Sequence, residues 1–228
     1  MKNLLLLHGA LGSAEQLEPL AERLSNDYRV YLLNFSGHGG KELTDESFSI
    51  EKFSNEIVKF IEKGRLRKTD VFGYSMGGYA ALHAARHNTG KLNRIFTVAT
   101  KFDWNEETSL KESRLLNPEK ILEKVPAFAS QLIERHSEKT WKQVLQKTSQ
   151  MMINLGLNPS LKGEDFSLIE NEIRLGVGDK DNMVSIEETA NIFRKLRNGS
   201  MIVFPDTQHS LEKYSTERLT SEIKIFFV

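Results

Sequence analysis

The strongest chemical pattern in the sequence is a serine with a glycine two residues to either side, Gly73-Tyr74-Ser75-Met76-Gly77. The short apolar run Thr69–Gly73 precedes the serine and predicts a strand, and the small-residue stretch Met76–His87 follows it and predicts a helix. The flanking glycines remove the Cβ atoms that a tight strand-to-helix turn would press together. We therefore predict that Ser75 is a nucleophile, held in a turn whose backbone strain costs about 1–3 kcal/mol.

An aspartate and a histidine that could activate this serine follow two later predicted strands. Asp181 comes just after the apolar run Ile173–Gly178, and His209 comes after Ser200–Phe204. Parallel strands all end at one edge of a sheet, so the three side chains are expected to converge there. Asp181 is preferred to Asp179, which is expected to form a turn, as the carboxylate that orients His209 and stabilises its charged form.

Backbone N–H groups near the serine are predicted to stabilise an oxyanion. Met76 supplies one from the start of the helix, and Ala10 or Leu11 supplies another from the glycine-containing loop after the first strand. His8, in the same loop, is expected to order it through hydrogen bonds rather than to act as a base.

The apolar runs and helical patterns alternate along the chain, which predicts an α/β fold with a mostly parallel sheet of about six strands flanked by helices. The predicted strands are Lys2–Leu7, Arg29–Asn34, Thr69–Gly73, Arg94–Thr100, Ile173–Gly178 and Ser200–Phe204. The predicted flanking helices are Ala14–Ser25, Ile50–Glu62, Met76–His87, Ile186–Leu196 and Ser210–Phe226, so that His209 would lie at the start of the last helix.

The alternation breaks after the fourth predicted strand, because no good strand pattern occurs between Asp103 and Asn171. We predict a helical lid at residues 103–171, inserted into an α/β core made of residues 1–102 and 172–228. The helix-like stretches in the lid are Pro118–Lys124, Ala127–His136, Lys139–Leu155 and Glu164–Glu170.

Five side chains near the predicted site are candidate substrate contacts. They are Tyr74, Phe102, Trp104, Met151 and Met152. For any single lid residue, plain packing of the helices is the simpler interpretation. His136 is expected to lie on a solvated helix face.

The composition excludes several classes of protein. The 228 residues contain 31 Lys plus Arg against 31 Asp plus Glu, so neither nucleic acid nor an anionic membrane is an expected partner. The absence of cysteine excludes disulfides and thiol catalysis. Leu4–Leu7 is too short for a signal peptide or a membrane span, which favours a cytoplasmic protein without membrane insertion.

No metal or organic cofactor is expected. His83 and His87 lie four residues apart on one predicted helix, but the pattern lacks a third ligand. The expected partner is a small-molecule substrate, and the sequence leaves the oligomeric state open.

Taken together, these motifs resemble the α/β-hydrolase fold family, especially its small lid-bearing serine esterases. The matching segments are His8-Gly9-Ala10-Leu11-Gly12, Gly37-His38-Gly39, Gly73-Tyr74-Ser75-Met76-Gly77-Gly78, Gly178-Asp179-Lys180-Asp181 and His209. The chain order Ser75, Asp181, His209 is that of the family. The chain departs from many relatives at Asn34, where they carry Asp, and it is expected to lack the two antiparallel strands that open them. The resemblance implies hydrolysis of an ester or related acyl bond through an acyl-enzyme.

Two alternatives use the same fold. The segment around Ser75 is also similar to that of the menaquinone-pathway lyase, which eliminates pyruvate without a cofactor, although that group commonly has Arg where this chain has Tyr79. The second alternative is a ligand-binding homologue that has lost its chemistry. Haloalkane and epoxide hydrolases are disfavoured, because they need Asp where Ser75 stands.

Overall fold

Six strands form one sheet in a computed structural model of the protein, which describes residues 1–88 and 90–228. The strands are β1 (Lys2–Leu7), β2 (Tyr28–Leu33), β3 (Thr69–Tyr74), β4 (Leu92–Val98), β5 (Ile173–Gly178) and β6 (Gly199–Phe204). Their order across the sheet is β2-β1-β3-β4-β5-β6, and each of the five pairings is parallel. The predicted α/β class with about six strands is confirmed, and the predicted strand ends differ from the observed ones by at most two residues.

Helices connect the strands and cover both faces of the sheet. In the described part of the chain they are α1 (Glu18–Leu24), α2 (Ile50–Lys63), α3 (Met76–His87), α4 (Glu106–Ser113), α5 (Pro118–Lys124), α6 (Pro126–His136), α7 (Trp141–Leu157), α8 (Ile186–Phe193) and α9 (Thr216–Phe226). None of the helices within residues 1–88 and 90–228 is long and apolar enough to cross a membrane.

The last helix begins later than the sequence pattern predicts. Ser215 is its N-cap, and the Ser215 hydroxyl accepts a hydrogen bond from Arg218 N at 3.3 Å. The preceding residues form a short 3₁₀ turn, Leu211–Lys213. His209 therefore lies in a loop, and the expectation that it begins the last helix is wrong.

The leucines of β1 show why the sequence reads as a continuous apolar run. Leu5 and Leu7 join the hydrophobic core on one face of the sheet, and Leu4 and Leu6 join the core on the other face. All four are 0% exposed. A central parallel strand that is covered on both faces needs apolar residues at every position rather than at alternate ones.

The segment between β4 and β5 is a helical insertion, as predicted. Helices α4 to α7 lie there, followed by the 3₁₀ turn Asp165–Leu168. Sequence patterning missed α4, because its buried residues include Ser109, Glu112 and Ser113 rather than an apolar stripe. A Cβ built on Gly156 of α7 would lie 2.5 Å from Ser109 Cβ, so glycine there lets the two helices approach closely.

Asn34, which departs from the common aspartate, connects two loops at the end of β2. Its Oδ1 accepts a hydrogen bond from Ala14 N at 2.7 Å, and its Nδ2 donates to Gly39 O at 3.2 Å. An amide can both donate and accept, whereas an ionised carboxylate can only accept. The neutral side chain therefore satisfies both loops.

The topology places a crevice at the carboxyl ends of β1 and β3. The chain passes from β1 outward to β2, and then returns across β1 to β3 and on toward β6. Connections leave in opposite directions at this point, which is where open parallel sheets form ligand crevices. The loop after β1 and the turn after β3 are therefore the segments that border this crevice.

The packing of β3 on α3 predicts a large cost for adding one methyl group at Gly73. A Cβ there would lie 2.6 Å from both the Cα and the N of Gly78, which are backbone atoms that cannot turn aside. We expect Gly73→Ala to lower the free energy of unfolding by at least about 2 kcal/mol in urea denaturation.

Gly163→Ala is the matched control for Gly73→Ala. Its Cβ would meet only the flexible end of the Lys195 side chain. We expect it to change the free energy of unfolding by less than about 1 kcal/mol. Equal effects of the two substitutions would contradict the interpretation that close backbone packing requires Gly73.

Candidate active site

The turn between β3 and α3 holds Ser75 in a conformation that side chains rarely adopt. Its φ is 50° and its ψ is −116°. Hydrogen bonds from neighbouring backbone fix this turn, because Ser75 N donates to Val98 O at 2.8 Å and the Thr100 hydroxyl donates to Ser75 O at 3.2 Å. Strain of this kind persists only where the surroundings over-determine it. The end of β4 therefore holds Ser75 in its turn.

Asp181 and His209 form a hydrogen-bonded pair in the loops after β5 and β6. The His209 Nδ1 lies 2.8 Å from Asp181 Oδ2 and 3.1 Å from Asp181 Oδ1. The Asp181 side chain is 0% exposed, and its Oδ1 also accepts from Met183 N and Val184 N at 2.9 and 2.8 Å. These donors keep a buried carboxylate satisfied, and the carboxylate fixes the orientation of the ring.

Further hydrogen bonds tie the two loops together. Thr207 N donates to Asp179 Oδ1 at 3.1 Å, and Lys180 N donates to Thr207 O at 3.1 Å. Asp179 thus bridges from one loop to the other, while Asp181 makes the contact with His209. The Asp179–Thr207 hydrogen bond fixes the relative position of the two loops and so keeps Asp181 next to His209.

Tyr74 links the Ser75 turn to the His209 loop. Its hydroxyl donates to His209 O at 3.0 Å, and the two ring centroids lie 5.9 Å apart. Within residues 1–88 and 90–228, the Ser75 hydroxyl makes no hydrogen bond to the His209 ring. Catalytic hydrogen bonds often tighten only when substrate is bound. The two residues are thus held in neighbouring loops without a direct hydrogen bond between their side chains.

A small cavity of about 30 Å³ opens beside Ser75. That is room for about one or two water molecules. The cavity is lined by Ala10, Ile50, Ser75, Met76, Tyr79, Lys101, Trp104, Met151, Met152, Leu155 and Met183. From this set the sequence predicted six site residues, namely Ala10, Ser75, Met76, Trp104, Met151 and Met152.

Two predicted substrate contacts lie outside this cavity. The Tyr74 hydroxyl instead donates a hydrogen bond to His209 O in the neighbouring loop, as described above. Phe102 is 8% exposed, with its ring centroid 5.6 Å from that of Phe166 and its N–H donating to Glu188 Oε1 at 2.9 Å. Both side chains serve the packing around the site rather than the wall of the cavity.

The loop after β1 places Ala10, but not Leu11, on the cavity wall. A turn shapes the loop, in which Gly12 N donates to Gly9 O at 3.1 Å and Leu11 has a φ of 58°. In the described part of the chain, the N–H groups of Ala10 and Met76 donate to no backbone carbonyl. Both residues line the cavity beside Ser75, so their N–H groups are candidate donors to an oxyanion.

Lys101 lines the same cavity, although sequence reasoning did not select it. The residue is 7% exposed, and its Nζ lies 3.1 Å from Met183 O and 3.4 Å from Glu188 Oε2. Its Nζ also lies 5.9 Å from the centroid of the Trp104 ring. A lysine is ordinarily exposed, so its residue type alone gives no sign of burial. Its position directly after the predicted strand Arg94–Thr100, at the edge of the sheet where the site was expected, was the available signal.

Three buried histidines form a cluster behind the loop after β1. His8 and His38 have ring centroids 5.2 Å apart, and His38 and His136 have centroids 5.5 Å apart. His136 is 2% exposed, so the expectation that it is a solvated helix residue is wrong. His136 is the last residue of α6, and it packs against the loops after β1 and β2 instead of facing solvent. Burial lowers the pKa of His8 to about 4 and the pKa of His136 to about 4, and it lowers that of His38 well below its usual value.

The hydrogen bonds of His8 confirm its expected role in ordering the loop. Its Nε2 accepts from Phe35 N at 3.2 Å, and its Nδ1 lies 2.8 Å from Gly9 O. Neutral imidazole has one donor and one acceptor nitrogen, which matches this pair of contacts.

His136 and Arg135 hold the loop from the side of the insertion. His136 Nε2 lies 2.9 Å from Leu11 O, and Arg135 Nη1 donates to the same oxygen at 2.9 Å. His136 Nδ1 accepts from Gly39 N at 3.3 Å. The end of α6 thus fastens the loop after β1 and the loop after β2 to each other.

The candidate pair of metal ligands, His83 and His87, has ring centroids 4.3 Å apart. Within residues 1–88 and 90–228, no group of three or more His, Asp or Glu residues could hold a metal ion.

Comparison with known families identifies the class. A profile described as the alpha/beta hydrolase fold matches residues 2–151, which is more than half of the chain. The chain belongs to the α/β-hydrolase fold family. A putative lipase from Acinetobacter baumannii AYE has the same fold, with a TM-score of 0.81 and 20% identity over 99% of this chain and 83% of that one.

Two curated relatives match shorter stretches. A 2-succinyl-6-hydroxy-2,4-cyclohexadiene-1-carboxylate synthase of Yersinia enterocolitica is 37% identical over 83 residues, which is 36% of this chain and 29% of that protein. A pimeloyl-[acyl-carrier protein] methyl ester esterase of Aliivibrio salmonicida is 30% identical over 99 residues, 43% of this chain and 36% of that protein. The chain therefore spans only about a third of the length of these relatives. Family and fold support a hydrolase.

The buried histidines predict that the protein loses stability as the pH falls from about 6.5 toward 4. An unfolded histidine takes up a proton near pH 6.5, whereas His8 and His136 in the folded state do so only near pH 4. Below pH 6.5 the unfolded state therefore binds more protons and gains stability, by up to about 1.4 kcal/mol per pH unit for each histidine.

The variant His136→Gln tests this assignment, because an amide can donate to Leu11 O but does not titrate. We expect the decrease in unfolding free energy between pH 7 and pH 5 to be about 2 kcal/mol smaller than in the wild type, measured by urea denaturation. His87→Gln, which alters an exposed histidine, is the control. An unchanged pH dependence in His136→Gln would rule out neutral burial of His136.

Proposed function

We propose that the protein hydrolyses an ester or related acyl bond of a small molecule, with Ser75, His209 and Asp181 as its catalytic triad. The observation that carries the proposal is the strained Ser75 turn, with a φ of 50°, next to a His209–Asp181 pair joined at 2.8 Å. A strained turn projects a nucleophile, and a carboxylate on the far nitrogen prepares the ring to accept its proton.

In the proposed reaction, Ser75 Oγ attacks the carbonyl carbon and passes its proton to His209 Nε2. Asp181 stabilises the resulting imidazolium, and the N–H groups of Met76 and Ala10 stabilise the negative oxygen. Collapse of the intermediate expels the alcohol, which takes the proton from His209. Water then attacks the acyl-Ser75 ester by the same route, and the acid leaves.

We further propose that residues 103–171 act as a lid on a core made of residues 1–102 and 172–228. A cavity of about 30 Å³ is too small for most acyl groups, so substrate must displace part of its wall. Met151 and Met152 in α7 form one side of this wall, and methionine side chains rearrange readily. The sequence-based expectations of a cytoplasmic location and of no nucleic-acid partner stay predictions.

A cofactor-free lyase is a second candidate. It is favoured by the 37% identity over 83 residues to the Yersinia cyclohexadiene carboxylate synthase. In that case His209 would remove a proton from carbon, and no acyl-enzyme would form. Trapping with a slowly hydrolysed ester, followed by intact mass measurement, separates the two: an added acyl mass that is absent in Ser75→Ala supports hydrolysis.

The triad predicts specific losses of activity. With p-nitrophenyl acetate, we expect Ser75→Ala to lower kcat by about 10⁴-fold or more and Asp181→Asn to lower it by about 10³- to 10⁴-fold. Asp179→Asn is the matched control, because residue 179 does not contact His209 and the amide oxygen of Asn can still accept the hydrogen bond from Thr207 N that bridges the two loops. It should retain kcat within about fivefold. Equal measurable activity of Ser75→Ala and wild type would remove the serine from the mechanism, whereas a wild type without activity on any ester would favour a binding protein that has lost catalysis.

The position of Met152 in the cavity wall predicts that its substitution changes the acyl-chain preference. Met152→Ala removes side-chain volume from the cavity, so we expect kcat/KM for p-nitrophenyl hexanoate relative to the acetate to rise about tenfold. Leu157→Ala alters an exposed residue at the end of the same helix and serves as the control. An unchanged ratio in Met152→Ala, with the fold intact by circular dichroism, would place the acyl group elsewhere.

A further inference from the structure

We propose that Lys101 binds a carboxylate of the substrate, so that the preferred substrates are monoesters of short dicarboxylic acids. The inference rests on the proposed function, because it places the anionic end of the acyl group in the cavity beside Ser75. It begins from an isolated charge: within residues 1–88 and 90–228, Lys101 is the one formally charged side chain among those that line this cavity. The remaining wall is mostly aromatic and aliphatic.

The ammonium group of Lys101 has unused hydrogen-bonding capacity. It carries three N–H donors, and two are directed at Met183 O and Glu188 Oε2. The distance to Glu188 is 3.4 Å, whereas a strong charge-assisted bond measures about 2.7–2.9 Å. In the described part of the chain, the third donor has no protein acceptor, and the residue borders the cavity.

Glu188 does not fully neutralise this cation, because its carboxylate is shared among several donors. Its Oε1 accepts from Phe102 N at 2.9 Å and Asp103 N at 3.2 Å, and its Oε2 accepts from Ser185 N at 3.2 Å. It also lies in the first turn of α8, where the helix dipole offsets negative charge. A substrate carboxylate therefore meets a cation whose protein partner is already engaged.

Because the Lys101 ammonium group is buried, it destabilises the free protein through lost hydration, and it can bind an anionic ligand strongly. Lys101 is 7% exposed, and a buried ion pair seldom repays its desolvation. Apolar residues of similar size would fill the same space at lower cost. A carboxylate that completes the coordination of the ammonium recovers part of that cost and binds in a dry environment, where charge-assisted bonds are strongest.

The first experiment compares two esters of nearly equal shape. Monoethyl succinate carries a carboxylate where ethyl 4-methylpentanoate carries an isopropyl group. We expect the wild type to favour the monoester in kcat/KM, followed by pH-stat, by about 10- to 100-fold. A wild type that prefers the neutral ester, or that treats both alike, overturns the proposal without any variant.

Variants of Lys101 then separate binding from positioning. Lys101→Met is expected to remove the preference mainly by raising KM for the monoester, and Lys101→Arg is expected to keep part of it. Lys91→Met removes an exposed lysine that pairs with Glu62 at 2.6 Å, and it should leave the preference unchanged. An equal loss with both esters in Lys101→Met would make the residue only a support for the Met183 loop and overturn the proposal.

A binding measurement keeps this inference separate from the proposed chemistry. Calorimetry on Ser75→Ala should detect monoethyl succinate, with affinity at least about tenfold weaker in Ser75→Ala combined with Lys101→Met. If this difference appears while no ester is hydrolysed by the wild type, the anion site stands and ester hydrolysis fails. If hydrolysis depends on Ser75 but the monoester binds Ser75→Ala and the double variant equally well, the proposed anion site is wrong and the proposed hydrolysis stands.

Discussion

The backbone conformation at Ser75 is the constraint on which the rest of the site depends. A residue with a φ of 50° and a ψ of −116° does not persist by local preference, so several neighbours must hold it there. Glycines at 73 and 77 give the turn its space, and the ends of β1 and β4 press on it from either side. A Cβ on Gly77 would lie 2.5 Å from His8 O, which shows how closely α3 approaches the loop after β1. The Ser75 turn and the loop after β1 are therefore packed as one unit.

The polar groups around this unit are arranged in two different ways. The Asp181–His209 pair is held by hydrogen bonds between the loops after β5 and β6, and the buried carboxylate gains stability from backbone N–H donors. The histidine cluster on the other side of the turn is neutral, because burial keeps the pKa values of His8 and His136 near 4. The first group thus places a buried carboxylate next to His209, whereas the second holds the loop after β1 in place without carrying charge.

The sequence predicted those parts of the fold that depend on local pattern. The continuous apolar run Lys2–Leu7 predicts a doubly covered strand, and the spacing of glycines about Ser75 predicts its turn; both depend on neighbours in the chain. Features that depend on distant contacts were missed. The helix Glu106–Ser113 buries small and polar residues against Gly156, and His136 is buried because α6 ends against loops almost 100 residues earlier. Lys101 was overlooked for the same reason, since only the completed fold encloses a side chain that is ordinarily exposed.

The two hydrogen bonds from the end of α6 to Leu11 O affect how molecules could enter the cavity beside Ser75. Arg135 and His136 donate to that single oxygen at 2.9 Å each, and Leu11 is the neighbour of Ala10 in the loop beside Ser75. Any outward swing of α6 breaks both bonds and frees the loop that carries the Ala10 amide. An opening of the cavity on this side would therefore also loosen the loop beside Ser75, so that the position of α6 and the order of that loop are coupled.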